Sequence, residues 1–335
     1  MLKSTRDIAV LFVIAIGIGF LLSRFAPARA VPAPSPTPTA TPVPSPTVPT
    51  DDPRVWSQPV VAGCAGDGAD AYLVSSGGGI ARFDGQTWYL VDDTLRTMRA
   101  VSCMPGLTIA AGDGSRLVRI DPSAHTVAPE LPLGDEDLYA IDAIDPGAIV
   151  VAGSALTIRI FTGDHWEQIG GGGEDEAWRA TLYRSPNEIW FAGDDGLLFQ
   201  FDGKGFVDHS IAKGPKLTAL AWVGTDVLVG ADDGTLYTAS PTTKAAARVA
   251  GHTHGPVRSL VSFGTGVYVL ADELTTFGTA APSTIAADTL HASGLSCTLA
   301  AMFTNARGEL WLIAREGARV GVARYDGIWT KWGRC

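Results

Sequence analysis

The stretch Asn187-Glu188-Ile189-Trp190-Phe191-Ala192-Gly193-Asp194-Asp195-Gly196-Leu197-Leu198-Phe199-Gln200-Phe201-Asp202-Gly203 holds two apolar runs, each closed by an acidic-glycine turn. Asp-Gly between apolar runs marks a β-hairpin, because the tight turns that fit strand twist need positive φ, which Gly adopts freely. The same order recurs along the chain. Second strands begin near Ala71, Leu107, Ala148, Glu188, Asp226, Gly266 and Glu309, a period of about forty residues. Further turns such as Phe83-Asp84-Gly85 and Tyr325-Asp326-Gly327 follow the third strands, and an aromatic residue often comes next, as at Trp88, Trp166, Phe206 and Trp329.

Four strands per unit and seven units over residues 54–335 predict an all-β chain folded as a seven-bladed β-propeller. Helical periodicity is hard to find there, whereas Gly is abundant and Val, Ile, Phe and Trp fall in short runs. The sixth copy is the weakest, since Thr275 to Thr284 loses the turn signature. The phase of the repeat starts with the first strand of unit one and ends with the fourth strand of unit seven. The ring is therefore expected to close without a strand shared between its ends.

Gly193-Asp194-Asp195-Gly196, Asp202-Gly203, Asp232-Asp233-Gly234-Thr235-Leu236-Tyr237 and Asp84-Gly85-Gln86-Thr87-Trp88 resemble the repeats of bacterial exported propellers, the photosystem II assembly factor-like, BNR-like and WD40-like group. The resemblance covers most of the chain and implies a fold, because the matching residues are architectural. The turns depart from true BNR Asp-boxes, which carry Ser or Thr two residues before the Asp and Gly two after it. A sialidase activity does not follow.

Residues 1–30 differ in kind. Lys3 and Arg6 precede an unbroken apolar run of fifteen residues, Ile8 to Leu22, and Ala28-Arg29-Ala30 ends the segment. This is the pattern of a hydrophobic N-terminal helix that is either a signal peptide cleaved after Ala30 or a retained signal-anchor. Residues 31–53 contain nine Pro among Thr, Ser and Ala, a disordered polyproline-like spacer that reaches roughly 70 Å when extended. A stiff spacer is useful when both ends are attached, so a retained anchor is the preferred reading, with the propeller extracytoplasmic. No Cys lies near the end of the apolar run, which excludes a lipoprotein anchor.

The four cysteines, Cys64, Cys103, Cys297 and Cys335, suit an oxidising compartment. Cys64 and Cys103 fall on neighbouring inner strands, while Cys297 and Cys335 flank the last unit. Three connectivities are open, and Cys64–Cys103 with Cys297–Cys335 is the expected one. No pair has the close spacing of a zinc site.

Formal net charge is −10, and removal of residues 1–30 makes it more negative by taking away Lys3, Arg6, Arg24 and Arg29 against Asp7. Nucleic acid is therefore a poor partner. Acids concentrate on the face that carries the interblade loops. The runs Asp135-Glu136-Asp137 and Glu174-Asp175-Glu176 occupy successive loops there, and they are either a solvated rim or a weak candidate site for a structural divalent cation, which takes several carboxylate oxygens. No other cofactor is expected. The histidines of Gly251-His252-Thr253-His254-Gly255 lack a third ligand.

Below that rim the inner strands read Met98-Arg99-Ala100-Val101, Leu138-Tyr139-Ala140-Ile141, Trp178-Arg179-Ala180-Thr181, Leu217-Thr218-Ala219-Leu220 and Val257-Arg258-Ser259-Leu260. The third residue is always small, as packing around a central channel requires. The second is Arg in alternate units. Arg99, Arg179 and Arg258, flanked by Tyr139 and Trp178, form the candidate ligand site, since forked guanidinium bonds hold carboxylate or sulfate. Alternatively each Arg pairs with an adjacent acidic loop. The chain is thus expected to be a membrane-tethered extracytoplasmic module that binds a protein or glycan and does no chemistry. The alternative is an exported carbohydrate-active enzyme or lectin using the same face, with Asp142, Glu174 and Asp175 as paired carboxylates.

Overall fold

The computed structural model describes residues 59–335 apart from 67–69, 86–87, 94–95, 124–125, 130–132, 244, 265, 278–292, 306, 318 and 334. The expected hydrophobic helix of residues 1–30, the spacer of residues 31–53 and the start of the expected propeller at 54–58 lie outside the described residues. Among the described residues no helix is long and apolar enough to cross a membrane.

Each repeat folds as one antiparallel sheet whose strands follow sequence order. Blade one is β1 (Val60–Ala65), β2 (Ala71–Ser75), β3 (Gly79–Phe83) and β4 (Trp88–Asp93); blade two is β5 (Met98–Met104), β6 (Leu107–Gly112), β7 (Leu117–Asp121) and β8 (Thr126–Pro129). Blade three is β9 (Leu138–Asp145), β10 (Ala148–Gly153), β11 (Ile158–Phe161) and β12 (Trp166–Gly170); blade four is β13 (Trp178–Ser185), β14 (Glu188–Gly193), β15 (Leu198–Phe201) and β16 (Phe206–Asp208). Blade five is β17 (Leu217–Val223), β18 (Asp226–Ala231), β19 (Thr235–Ala239) and β20 (Ala247–His252). Blade six shows β21 (Ser259–Phe263), β22 (Gly266–Leu270) and β23 (Leu274–Phe277) among the described residues. Blade seven is β24 (Thr298–Thr304), β25 (Leu310–Glu316), β26 (Arg319–Tyr325) and β27 (Trp329–Gly333). The chain is a seven-bladed β-propeller. Part of the weak stretch Thr275 to Thr284 falls on residues that are not described.

Burial explains the strand composition. Second strands such as β6 are buried at every position, because each is covered on both faces by neighbouring blades, and such strands read as continuous apolar runs. Outer strands lose this cover, and all three residues of β16 are exposed. The core is accordingly divided into seven clusters, one between each successive pair of blades. At the turn Phe201-Asp202-Gly203, Gly203 takes φ +84° and the Asp202 carboxylate accepts the N–H groups of Lys204 and Gly205, both at 2.9 Å. The acidic-glycine signature is therefore turn chemistry.

The ring closes by packing between blades seven and one. Phe83 lies 5.7 Å from Trp311 and 4.6 Å from Trp332 between ring centroids, and Phe303 stacks on Trp311 at 5.8 Å. Arg324 extends over both Trp311 and Trp332. The Asn305 side chain donates to the Gly66 carbonyl across the seam at 3.3 Å. Two disulfides reinforce the ring. Cys64 on β1 is bonded to Cys103 on β5, and Cys297 to Cys335, with Cα separations of 5.5 and 5.4 Å. The second bond holds Cys335, two residues beyond β27, and the Cys335 carbonyl also accepts the N–H and hydroxyl of Ser296.

Candidate functional site

The inner strands share a device that repeats around the channel. Each has an extra residue at the position after its first core residue. The register shifts between Val60 and Ala62, Met98 and Ala100, Leu138 and Ala140, Trp178 and Ala180, Leu217 and Ala219, and Leu299 and Ala301. In blade six the Arg258 N–H donates to the carbonyl of Leu270, the residue opposite Ser259. A bulge leaves one residue out of the ladder and re-aims its side chain. The seven residues so released are Val61, Arg99, Tyr139, Arg179, Thr218, Arg258 and Ala300, equivalent positions around the ring of blades, of which Arg99, Tyr139, Arg179, Thr218 and Arg258 line the cavity at the channel mouth.

Sequence reasoning found the variable position but missed the bulge. The signal was present, because core residues recur three apart at Met98 and Val101, Leu138 and Ile141, and Leu217 and Leu220. All six are buried. An odd spacing puts the pair on opposite faces of a regular strand, so both can be buried on one face only if an extra residue intervenes.

Each Arg of the ring meets an Asp at or just beyond the end of the second strand of its own blade. Arg99 forks onto Asp113 with distances of 2.5 and 3.2 Å, and Arg179 onto Asp194 with 2.9 and 2.7 Å. Both forks use Nε and Nη2, and among the described residues neither Nη1 takes up a carboxylate. Hydrogen bonding to Asp113 and to Asp194 raises the pKa values of the two guanidinium groups, outweighing burial. Arg258 bonds Asp272 at 2.8 Å and the Leu299 carbonyl of the next blade at 2.9 Å. Lys216 stands 3.8 Å from Asp194. Tyr139 lies between two cations, with the Arg99 and Arg179 carbons 5.0 and 4.6 Å from its ring centroid.

Below the ring is a cavity of about 490 Å³. Ala100, Ala140, Ala180, Ala219 and Ser259 line its upper part, and Val101, Ile141, Leu220, Leu260 and Met302 continue the wall. In blade five every residue from Thr218 to Trp222 lines it, a run on the order of 15 Å at about 3.3 Å per residue. The site is a charged and aromatic mouth over a shaft whose lining is divided between apolar groups and the hydroxyls of Thr181, Ser262 and Thr304.

Other predicted residues are placed differently. Trp178 is 4 % exposed, packed against Phe191 and Phe199, with its indole N–H donating to the Leu156 carbonyl at 3.1 Å. It precedes the bulge and points into the core between blades, so it does not flank the ligand site. Glu136 is tied to Arg159 at 3.1 Å; burial pushes its carboxyl up, but its own backbone N–H and Arg159 outweigh that and lower it. Asp137 accepts the Gly114 N–H at 2.9 Å. Asp135, Glu174 and Asp175 are exposed and Glu176 is partly buried. Among the described residues no three His, Cys, Asp or Glu side chains converge to hold a metal, so the two acidic runs are not gathered into a cation centre.

Nor are the acids of the enzyme reading gathered. Asp142 sits on β9 and accepts the N–H groups of Tyr183 and Ala143, each at 2.8 Å. Burial raises its carboxyl to about 6 against those two bonds. It does not line the shaft, and Glu174 and Asp175 lie on the loop between β12 and β13.

No protein-family profile matches the chain, and no curated protein matches it in sequence. Solved structures do match. The computationally designed Ika8 protein is 16 % identical, with 81 % of this chain and 84 % of that one covered at a TM-score of 0.59. The RRP9 WD40 repeats are 9 % identical, covering 77 % of this chain and 87 % of theirs at 0.62. The WD40 propeller domain of Doa1 is 12 % identical, covering 80 % and 93 % at 0.61. At these identities the likeness establishes the fold alone: the chain is similar in architecture to WD40 β-propellers.

Proposed function

We propose that this protein is a membrane-tethered extracytoplasmic β-propeller that acts as a non-enzymatic binding module, engaging a protein or glycan at its channel mouth. The observation that carries this reading is the ring of bulge residues, which aims Arg99, Tyr139, Arg179 and Arg258 at one opening. The mouth carboxylates Asp113, Asp194 and Asp272 are ion-paired to the arginines, an arrangement that suits orientation of donors better than proton transfer. Export is supported by two disulfides that engage all four cysteines, since such bonds persist in oxidising compartments. The basic flank, apolar run and Pro-rich spacer supply the tether, and the repeats resemble those of exported bacterial propellers.

The test uses the full chain in its native envelope. Mild external protease should cut the spacer and release a folded propeller, while the uncut chain stays in the membrane through alkaline washing. A photo-crosslinking residue at Val61, the bulge position of β1 equivalent to Arg99 and 40 % exposed, should capture a defined partner. The same probe at Ile328, 76 % exposed on the β26–β27 turn, should not. Equal capture at both sites, or a propeller inaccessible from outside, would defeat the proposal.

A further inference from the structure

We infer that the mouth and shaft together bind an amphiphilic organic anion, a carboxylate, phosphate or sulfonate head on a single apolar chain or ring. This rests on the binding role proposed for the same site and names its ligand class. The head group would meet Arg99 and Arg179. Each guanidinium is held side-on by its aspartate, which fixes the plane and leaves the Nη1 edge for a second acceptor. Tyr139 separates the two cations and offers each a ring face, so they converge without direct contact.

The apolar part follows from what lies beneath. An inorganic anion would be held at the mouth and would leave the shaft unused. Yet the wall below carries apolar groups, Ala100, Ala140, Ala180, Ala219, Trp222 and Met302, interleaved with the hydroxyls of Thr181, Ser262 and Thr304. Its volume of about 490 Å³ lies within the range of about 300–1,000 Å³ typical of small-molecule sites. The exposed acids Asp135, Glu174 and Asp175 lie on the interblade loops before β9 and β13 and, with the net charge of −10, repel polyanions, so a small ligand with one anionic head is favoured over nucleic acid or an extended acidic chain.

The experiment is calorimetry on the full-length chain in phosphatidylcholine nanodiscs, with empty nanodiscs as the blank. The probes are 6-phenylhexanoate, 6-phenylhexan-1-ol and acetate. The expected result is saturable binding of one phenylhexanoate per chain, with the alcohol and acetate each at least tenfold weaker. The double variant Arg99→Ala/Arg179→Ala should weaken phenylhexanoate at least tenfold. Ala180→Leu, which narrows the shaft and leaves the arginines in place, should weaken phenylhexanoate and leave acetate unchanged. Should the double Ala variant lose its near-ultraviolet Trp signal, Arg99→Lys/Arg179→Lys replaces it and is expected to weaken phenylhexanoate at least threefold, since Lys keeps charge without the fork.

Equal affinity for acetate would reduce the site to an ion at the mouth, and equal affinity for the alcohol would reduce it to an apolar channel. Either overturns the inference, as does wild-type affinity in the folded arginine variant or the absence of saturable heat. If phenylhexanoate fails to bind while the Val61 crosslinker still captures one partner, this inference falls and the binding module stands.

Discussion

The Asp142 carboxylate, on the inner strand of blade three, accepts the backbone N–H of Tyr183 on the inner strand of blade four at 2.8 Å. One side chain thus joins two blades through the main chain. The arrangement places an anion where burial opposes charge, and its pKa is raised from 3.8 to about 6. A carboxyl with a folded pKa above its unfolded value contributes stability fully below the unfolded value, and that contribution is lost as pH rises through about 6. At about 1.36 kcal/mol per pH unit the loss is up to about 3 kcal/mol. Asp142→Asn should remove the titration. The stability of the variant relative to wild type should therefore rise between pH 4 and pH 7.5, as read from urea midpoints. A constant difference across that range would refute the assignment.

His209 predicts the opposite slope. Its ring is fully buried, 4.8 Å from the Trp190 ring. Among the described residues neither nitrogen has a hydrogen-bond partner, while the Thr243 backbone pulls toward protonation. Desolvation wins and lowers the pKa from 6.5. A histidine with a lowered folded pKa contributes stability above its unfolded value and loses it as pH falls. His209→Phe, which keeps a ring against Trp190, should be less sensitive than wild type to acidification from pH 7.5 to 5. Identical acid dependence of the two melting temperatures would rule this out.

The fold was legible because each blade is local. Antiparallel hairpins leave their turn residues in sequence, and second strands began where expected at Ala71, Leu107, Ala148, Glu188, Asp226 and Gly266. The site was half legible. Arg99, Tyr139, Arg179 and Arg258 stood out by position, but Trp178 occupies the preceding core position rather than the bulge. Which acid each Arg meets depends on the approach of the second strand's end to the inner strand, and sequence distance does not report it. Asp142 stood out as a candidate acid, but its interblade bond was not legible for a similar reason, since its partner Tyr183 lies on the next blade.

The bond between Cys297 and Cys335 should govern the last blade. It closes a loop with a sequence separation of 38, for which chain entropy gives about 4 kcal/mol. Cys297→Ser/Cys335→Ser should lower stability by about 2–4 kcal/mol. Hydrogen exchange should show β27 losing protection first while β5 keeps it, because Cys64–Cys103 remains. Uniform loss across all blades would mean that the bond acts on the whole ring instead.

Gly63 tests whether side-chain packing closes the propeller. It lies on β1 at the seam, where an added Cβ would run into the Phe303 ring and reach Leu73 at 2.8 Å. Phe303 cannot retreat easily, because it stacks on Trp311, which packs in turn against Phe83 and Trp332. Gly63→Val should therefore cost about 1–3 kcal/mol by overpacking. Gly66, three residues on, has open space where its Cβ would stand, and Gly66→Ala should change stability by less than about 0.5 kcal/mol. If blades one and seven part before the rest unfolds, the Gly63→Val variant should expose β1 and β25 amides to exchange while β9 and β13 stay protected. Equal costs for the two substitutions would show that the Phe303–Trp311 stack yields, and closure would then have to rest on the remaining apolar contacts of the seam and the Asn305–Gly66 hydrogen bond.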